Sequence, residues 1–214
     1  MMRVAVLFES SGAVRDALIR RGHFAVSFDL LPTEWPGPHV VGDVTADLAG
    51  GEFVTAQLAA DVTADLARVY AELDVTAELA RGWDMVIAFP PCTFLSRAGA
   101  HLWRQREAEA LAAYELVRLV ADLRCERIAI ENPVGLLTRF WRAPDQYIQP
   151  WWFGEPYQKR TGLWLKGLAP LKPTQITGER RSWVAAVGES RTRARERSRT
   201  FLGVADAMAA QWAP

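Results

Sequence analysis

The residue with the clearest capacity for chemistry in this chain is Cys92, which directly follows Pro90 and Pro91. An apolar run from Met85 to Phe89 precedes the prolines, and such a short run predicts a buried strand. The prolines stiffen the loop that begins where this strand ends. Open α/β sheets bind ligands beyond the carboxyl ends of their strands, so the sequence predicts that the Cys92 thiol lies at a ligand site, where it could act as a nucleophile. The alternative is a cysteine packed as a small apolar residue under the turn.

A carboxyl group is predicted at the end of the next strand. The apolar run from Arg127 to Ile130 ends at Glu131, and a helical pattern from Gln105 to Leu123 separates it from the Cys92 loop. Successive parallel strands usually lie side by side, so Glu131 is expected beside that loop. An acid at this position could equally cap a helix or lie on the surface.

The amino-terminal residues predict a strand, a tight turn and a helix. A strand from Arg3 to Phe8 leads into the small residues of 9–12, and a helix follows from Ala13 to Arg21. Small residues at such a turn let the backbone approach a ligand at the helix amino terminus. The second strand, Phe24 to Phe28, ends at Asp29, and an acid there commonly accepts hydrogen bonds from ribose hydroxyls.

Length and composition predict one domain spanning residues 1–214, with 50% hydrophobic residues. No apolar run approaches the roughly 20 residues that cross a bilayer, so we expect a cytoplasmic protein without membrane contact. Two cysteines and three histidines offer neither a disulfide framework nor a zinc spacing. We therefore predict no metal.

Two segments differ in charge from the rest of the chain, whose net charge is zero. The first, 44–81, repeats a Val-Thr-Ala pattern and predicts an acidic, alanine-rich helical insertion that serves as scaffold. The second, 169–200, is short and basic. Its arginines either neutralise phosphates or form a solvated face.

Three later elements complete the prediction. Gly162 to Gly167 is expected to form a late strand that pairs with Tyr147 to Gln149 as a hairpin, and Phe201 to Trp212 is expected to form the last helix. The helix at 105–123 is expected to bury Leu111, Tyr114, Leu116, Leu119 and Val120.

Taken in order, these motifs resemble those of the cytosine C5-methyltransferase family, which uses S-adenosylmethionine. The matching segments are Leu7 to Gly12 for the cofactor loop, Asp29 for the ribose acid, Asp43 for the acid beside adenine, Pro90-Pro91-Cys92 for the nucleophile loop, Glu131-Asn132-Pro133, Gln158-Lys159-Arg160, and Ser198 to Phe201. The resemblance implies an α/β fold with a Rossmann-like, mostly parallel, doubly wound sheet and a late antiparallel strand.

The resemblance also implies a site. Cys92 would add to C6 of cytosine, Glu131 would protonate N3, and Arg160, with Lys159 as a substitute, would stabilise charge at O2. A thiolate needs a positive neighbour, for which Arg97 and Arg160 are the candidates. The implied cofactor-binding residues are Phe8, Ser10, Gly12, Asp29, Asp43, Pro90 and Thr200. The implied substrate-binding residues are Pro91, Ser96, Asn132, Lys159 and Arg160.

The chain departs from the family in three places. Ser10 replaces the first glycine of the cofactor loop, and no Gln follows Cys92. Only the segment 169–200 stands where the family has a target-recognition domain, which leaves the substrate open. The substrate is therefore either DNA, with relaxed specificity or a protein partner that selects the target, or a free nucleotide such as dCMP. A non-catalytic relative that binds nucleic acid or a partner is a further alternative. An amino-methyltransferase is disfavoured, because Phe89 and Cys92 reverse the flanks that its Pro-Pro loop needs.

Overall fold

The computed structural model describes residues 1–42, 82–96, 106–187 and 193–214. The predicted insertion at 44–81, together with Asp43 and Arg97, lies outside these residues. The strands are β1 (Arg3–Leu7), β2 (Phe24–Asp29), β3 (His39–Val41), β4 (Met85–Ala88), β5 (Ile128–Pro133), β6 (Gln146–Ile148), β7 (Tyr157–Gln158), β8 (Thr161–Lys166) and β9 (Arg181–Ser182). The helices are α1 (Ala13–Arg20), α2 (Glu107–Ala121), α3 (Leu137–Phe140), α4 (Trp183–Ala186), α5 (Arg193–Ser198) and α6 (Leu202–Trp212).

Seven of the described strands form one sheet in the order β3-β2-β1-β4-β5-β8-β6. The five strands from β3 to β5 are parallel, and β8 runs antiparallel to both of its neighbours. This confirms the predicted fold class and the predicted hairpin of β6 with β8. The chain order reverses between β1 and β4, which makes the carboxyl ends of these two strands the topological switch point of the sheet.

Helices cover both faces of this sheet. On one face α1 and α6 pack over Met85 and Ile87, and on the other α2 packs over Val86 and Ala88. Burial on both faces explains why the strands read as continuous apolar runs rather than as alternating ones. In the described ranges no helix has the length and apolar character that crossing a membrane requires.

The buried stripe of α2 differs from the predicted one. Ala113, Val117 and Val120 are buried, whereas Leu111 and Leu119 are 54% and 37% exposed. The prediction was right for Val120, and Tyr114 and Leu116 pack partly buried against the core. It was wrong for Leu111 and Leu119, because small and β-branched side chains of this alanine-rich helix face the sheet in place of its largest apolar residues.

A fully buried arginine on α1 fixes the proline-rich loop between β2 and β3. Arg15 has no exposed surface. Its guanidinium donates to five oxygens, which are Asp16 Oδ1 (2.7 Å), Ser27 Oγ (3.1 Å), Thr33 Oγ1 (3.1 Å), Trp35 O (2.9 Å) and Pro36 O (3.4 Å). This set uses all five guanidinium N–H groups, and it holds the loop beside the turn between β1 and α1.

Candidate active site

The loop after β4 holds Cys92 at the start of a tight turn. Pro90 is buried and Pro91 is exposed, so the chain leaves the sheet edge at this pair. The carbonyl of Cys92 then accepts from the amides of Leu95 (3.1 Å) and Ser96 (2.9 Å). The turn fixes the Cys92 backbone and leaves its side chain partly accessible.

The end of β5 is bonded directly to this loop. Asn132 is fully buried, and its Nδ2 donates to the carbonyl of Pro90 at 3.0 Å. Further along, the amide of Leu136 donates to the carbonyl of Leu95 at 2.7 Å, and Ser96 forms an antiparallel bridge with Gly135. The expected neighbourhood of the Cys92 loop and the Glu131 strand is therefore present, and Asn132 is one of the residues that holds it together.

A cleft opens between β5, β8 and the amino terminus of α6. Of the predicted site residues, Glu131, Lys159 and Thr200 line this cleft. Its complete lining is Phe89, Glu131, Ile148, Pro150, Lys159, Thr161, Ser198, Arg199, Thr200, Phe201, Val204 and Met208. The cleft thus combines the ionisable side chains of Glu131, Lys159 and Arg199 with apolar side chains, some of which come from the last helix.

Burial raises the pKa of Glu131, and the nearby Lys159 charge and Thr161 hydroxyl offset only part of that effect. Glu131 therefore holds its proton at a higher pH than an exposed glutamate does. A carboxylic acid kept neutral in this way can donate a proton to a bound base.

Burial also raises the pKa of the Cys92 thiol, and the negative charge of Glu131 raises it further. The charges of Lys159 and Arg197 oppose this shift. Protonation of Glu131 would remove the negative charge that disfavours the Cys92 thiolate and leave the Lys159 and Arg197 charges in place. The ionisation of Cys92 is thus coupled to that of Glu131.

The cation beside this pair is Lys159 rather than the predicted Arg160. Lys159 lines the cleft, and its Nζ donates to the carbonyl of Arg197 at 3.0 Å. Arg160 is exposed, and its guanidinium lies over the ring of Tyr147 at 4.0 Å from the centroid. Lys159 therefore lines the cleft and Arg160 does not. Arg97, the other predicted partner of the thiol, lies outside the described residues.

The turn between β1 and α1 lies at the same sheet edge. Phe8 has a left-handed backbone (φ 60°), and the amides of Phe8 and Glu9 both donate to the carbonyl of Phe28, at 2.7 and 3.2 Å. Gly12 is also left-handed (φ 80°), and a Cβ there would lie 2.4 Å from Arg15 Nη2. A non-glycine residue in this conformation is strained, which is common where a backbone is shaped for a ligand.

The cofactor residues implied by the sequence are not all gathered in the cleft. Phe8, Ser10, Gly12 and Asp29 follow β1 and β2 but do not line it, and Asp29 Oδ1 accepts from the amide of Leu31 at 2.8 Å.

Two successive contacts, both made by Glu34, join the turn between β1 and α1 to Arg199 in the wall of the cleft. The carbonyl of Ser10 accepts from the amide of Glu34 (2.7 Å), and the Glu34 carboxylate pairs with Arg199 (2.6 Å).

The basic segment brings guanidinium groups onto aromatic rings. Arg180 lies over Trp151 at 3.9 Å and Arg181 lies over Tyr157 at 5.6 Å, measured to the ring centroids. β9 pairs with β7, which fixes this part of the segment beside the strand that leads to Lys159. Within the described ranges, no group of three or more His, Cys, Asp or Glu side chains is arranged to hold a metal ion.

The chain is similar to solved structures of methyltransferases at low identity. One is a protein assigned as a DNA modification methyltransferase and encoded within an E. coli prophage, with 16% identity and a TM-score of 0.43 over 83% of this chain and 52% of that one. Another is the S. pombe Dnmt2 methyltransferase, with 15% identity and a TM-score of 0.39 over 88% and 54%. A third is a Spodoptera frugiperda DNMT2 mutant, with 14% identity and a TM-score of 0.33 over 89% and 60%.

No protein-family model and no curated protein matches the sequence. The chain spans only about half of the length of the first two of these structures. The observed strand order is the basis of the fold assignment.

Proposed function

We propose that this protein transfers a methyl group from S-adenosylmethionine to C5 of cytosine. The observation that carries the proposal is the bonded junction of the Cys92 loop with the end of β5, which sets a thiol beside a carboxyl group of raised pKa. Addition of a thiolate to C6 of a pyrimidine requires a proton donor on the opposite edge of the ring. These two side chains match that requirement.

The residues at the switch point suit S-adenosylmethionine. The turn between β1 and α1 lies at the end of β1, where the left-handed backbones of Phe8 (φ 60°) and Gly12 (φ 80°) shape the chain at the sheet edge. Phe8, Ser10, Gly12, Asp29, Pro90 and Thr200 would hold the cofactor, and Asp43 would join them from outside the described residues. When bound, the cofactor supplies an electrophilic methyl group.

In the proposed mechanism Cys92 adds to C6 of the cytosine ring, and the electron pair of the C5–C6 double bond shifts toward N3. Glu131 donates its proton to N3, so the adduct forms as a neutral enamine whose C5 is nucleophilic. After methylation, C5 loses its proton to water, the C6–S bond breaks with its electrons returning to sulfur, and N3 returns its proton to Glu131, which restores both the Cys92 thiolate and the Glu131 acid. Pro91, Ser96 and Asn132 would shape the pocket for the base.

The arginines stacked on aromatic rings favour DNA over a free nucleotide as substrate. The rings are those of Tyr147, Trp151 and Tyr157, which carry Arg160, Arg180 and Arg181 respectively. Each ring lies within three residues of Pro150 or Lys159, which line the cleft. A stacked guanidinium is held in place and can still present N–H groups to phosphates, and in Arg181 these are the Nη groups, because its Nε pairs with Glu179 Oε1 at 3.0 Å. A DNA strand presents many phosphates to such a surface, whereas dCMP presents one. Because the segment 169–200 is short, we propose that a protein partner selects the target sequence.

The proposed function is tested by offering labelled S-adenosylmethionine with duplex DNA, single-stranded DNA and dCMP in parallel. We expect label in cytosine C5 of DNA. Labelling of dCMP alone would contradict DNA as the substrate, and absence of label in every substrate would contradict the proposed activity.

Lys159 is expected to matter more than Arg160 for the chemical step. Lys159→Gln removes the cation whose charge acts on Cys92 and Glu131, so kcat should fall by about 10²-fold, the scale for one lost charge-stabilising group. Arg160→Gln should leave kcat within a few-fold and weaken DNA binding, because its guanidinium lies over Tyr147 at the surface. Single-turnover kinetics and DNA binding for both variants would check this, and equal losses of kcat would contradict it.

Gly135→Ala is expected to displace the Cys92 loop. A Cβ at Gly135 would lie 1.8 Å from the carbonyl oxygen of Leu95, so the loop must move away from β5. A shift of about 1 Å in a catalytic group costs about 10²-fold in rate. Gly178→Ala is the matched control, because a Cβ there meets nothing within 4 Å. Rates near wild type for both variants, with unchanged circular dichroism, would show that the junction does not position Cys92.

A further inference from the structure

Glu9 is a buried acid at the turn between β1 and α1, and only 4% of its surface is exposed. Its Oε1 accepts from the amide of Val14 at 2.9 Å and from the Ser11 hydroxyl at 3.0 Å. The carboxylate therefore occupies the amino-terminal end of α1. The positive end of a helix ordinarily attracts the anionic group of a ligand, but here a side chain of the protein already provides that anion.

The second carboxylate oxygen of Glu9, Oε2, is buried and has no hydrogen-bond partner. Arg15 is the cation whose charge acts on Glu9, and its backbone amide also interacts with this carboxyl group, but its five guanidinium N–H groups all donate to other oxygens. Burying a carboxylate oxygen without a partner is costly, so it normally signals a missing donor. Burial accordingly raises the pKa of Glu9.

The position of this oxygen indicates which donor is missing. Glu9 follows β1, and β1 borders β4 at the switch point where the sheet binds its ligand. The methionine part of S-adenosylmethionine ends in both an ammonium and a carboxylate group. A helix end that already holds a carboxylate repels the second group and attracts the first.

We propose that Glu9 Oε2 accepts a hydrogen bond from the α-ammonium group of the methionine part of S-adenosylmethionine. This inference rests on the proposed function, since it requires that cofactor. It makes Glu9 a cofactor-binding residue that selects ligands carrying a primary ammonium group at this end.

The test compares two ligands, S-adenosylhomocysteine and the same molecule without its α-amino group, by calorimetric titration. We expect wild-type protein to bind the amino ligand about 10- to 100-fold more tightly, as expected for a hydrogen bond to a charged group. Glu9→Gln keeps an oxygen acceptor for the Val14 amide and should lose most of this preference. Glu109→Gln, an exposed acid on α2, should keep it.

The outcomes separate this inference from the proposed function. Equal binding of both ligands by wild type, or an unchanged preference in folded Glu9→Gln, would overturn the role of Glu9 and leave the cofactor assignment standing. Failure of wild type to bind either ligand would overturn both. The wild-type comparison needs no variant, so it decides the matter even if Glu9→Gln fails to fold.

Discussion

Cys92→Ala is expected to abolish methyl transfer while S-adenosylhomocysteine binding stays within a few-fold of wild type. The sulfur of Cys92 is the atom that forms the covalent bond in the proposed mechanism, and no other cysteine stands at the described site. Removing the covalent nucleophile from an enzyme lowers the rate by about 10⁶-fold. The measurement is incorporation of label from the cofactor, paired with calorimetric binding of S-adenosylhomocysteine.

Cys125→Ala is the matched control for this experiment. Cys125 is buried, and its Sγ lies 3.3 Å from the carbonyl oxygens of both Trp83 and Arg127, which share its single S–H donor. Its loss should lower the free energy of unfolding by about 1 kcal/mol and leave kcat unchanged. If Cys92→Ala kept substantial activity, or if Cys125→Ala lost as much, the assignment of Cys92 as the nucleophile would be wrong.

Glu131→Gln is expected to lower kcat by about 10²- to 10⁴-fold, the range for removal of a general acid. Glutamine keeps the shape of the side chain and can still contact the cytosine edge, but it cannot supply a proton to N3. Substrate binding should therefore change much less than kcat. Asn132→Asp provides a contrast, because it would place an acceptor against the Pro90 carbonyl and disturb the loop itself.

The pH dependence of this variant gives a second readout with a definite sign. The active form needs a protonated Glu131 and an ionised Cys92, so wild-type activity should rise on the acid side and fall on the alkaline side. In Glu131→Gln the alkaline fall should disappear, because no carboxyl proton remains to be lost. The pKa of the Cys92 thiol should also decrease, since the Glu131 charge no longer raises it. An unchanged alkaline limb would show that another group supplies the proton.

The apolar patterns of the sequence were sufficient to predict the main strands of the sheet in their order along the chain. The apolar runs at β1, β2, β4 and β5 are buried on both faces, which makes them visible without an alignment. The neighbourhood of the Cys92 loop and Glu131 followed from the rule that successive parallel strands pair. The predicted antiparallel pairing of β6 with β8 was also confirmed, and it joins two strands that only 12 residues (149–160) separate along the chain.

Side-chain direction was the feature that the sequence could not decide. Lys159 and Arg160 are adjacent and chemically alike, and only the structure shows that Lys159 lines the cleft whereas Arg160 lies over Tyr147. Arg15 reads as a surface residue of an amphipathic helix, yet three of its five hydrogen bonds reach a loop about 20 residues along the chain. The proposed role of Glu9 could not be predicted from the sequence either, since it depends on a buried carboxylate oxygen, Oε2, that has no hydrogen-bond partner.

The most direct test of the account is covalent trapping of Cys92 by 5-fluorocytosine. Fluorine at C5 cannot leave as a proton does, so the adduct should persist once methyl transfer has occurred. Protein, S-adenosylmethionine and substrate are incubated with 5-fluorocytosine in duplex DNA, in single-stranded DNA and as the free nucleotide, and the products are analysed by intact mass and peptide mapping. We predict an adduct on Cys92 with DNA that Cys92→Ala does not form. If cofactor binds but no form of the substrate yields an adduct on Cys92, the proposed covalent mechanism is wrong.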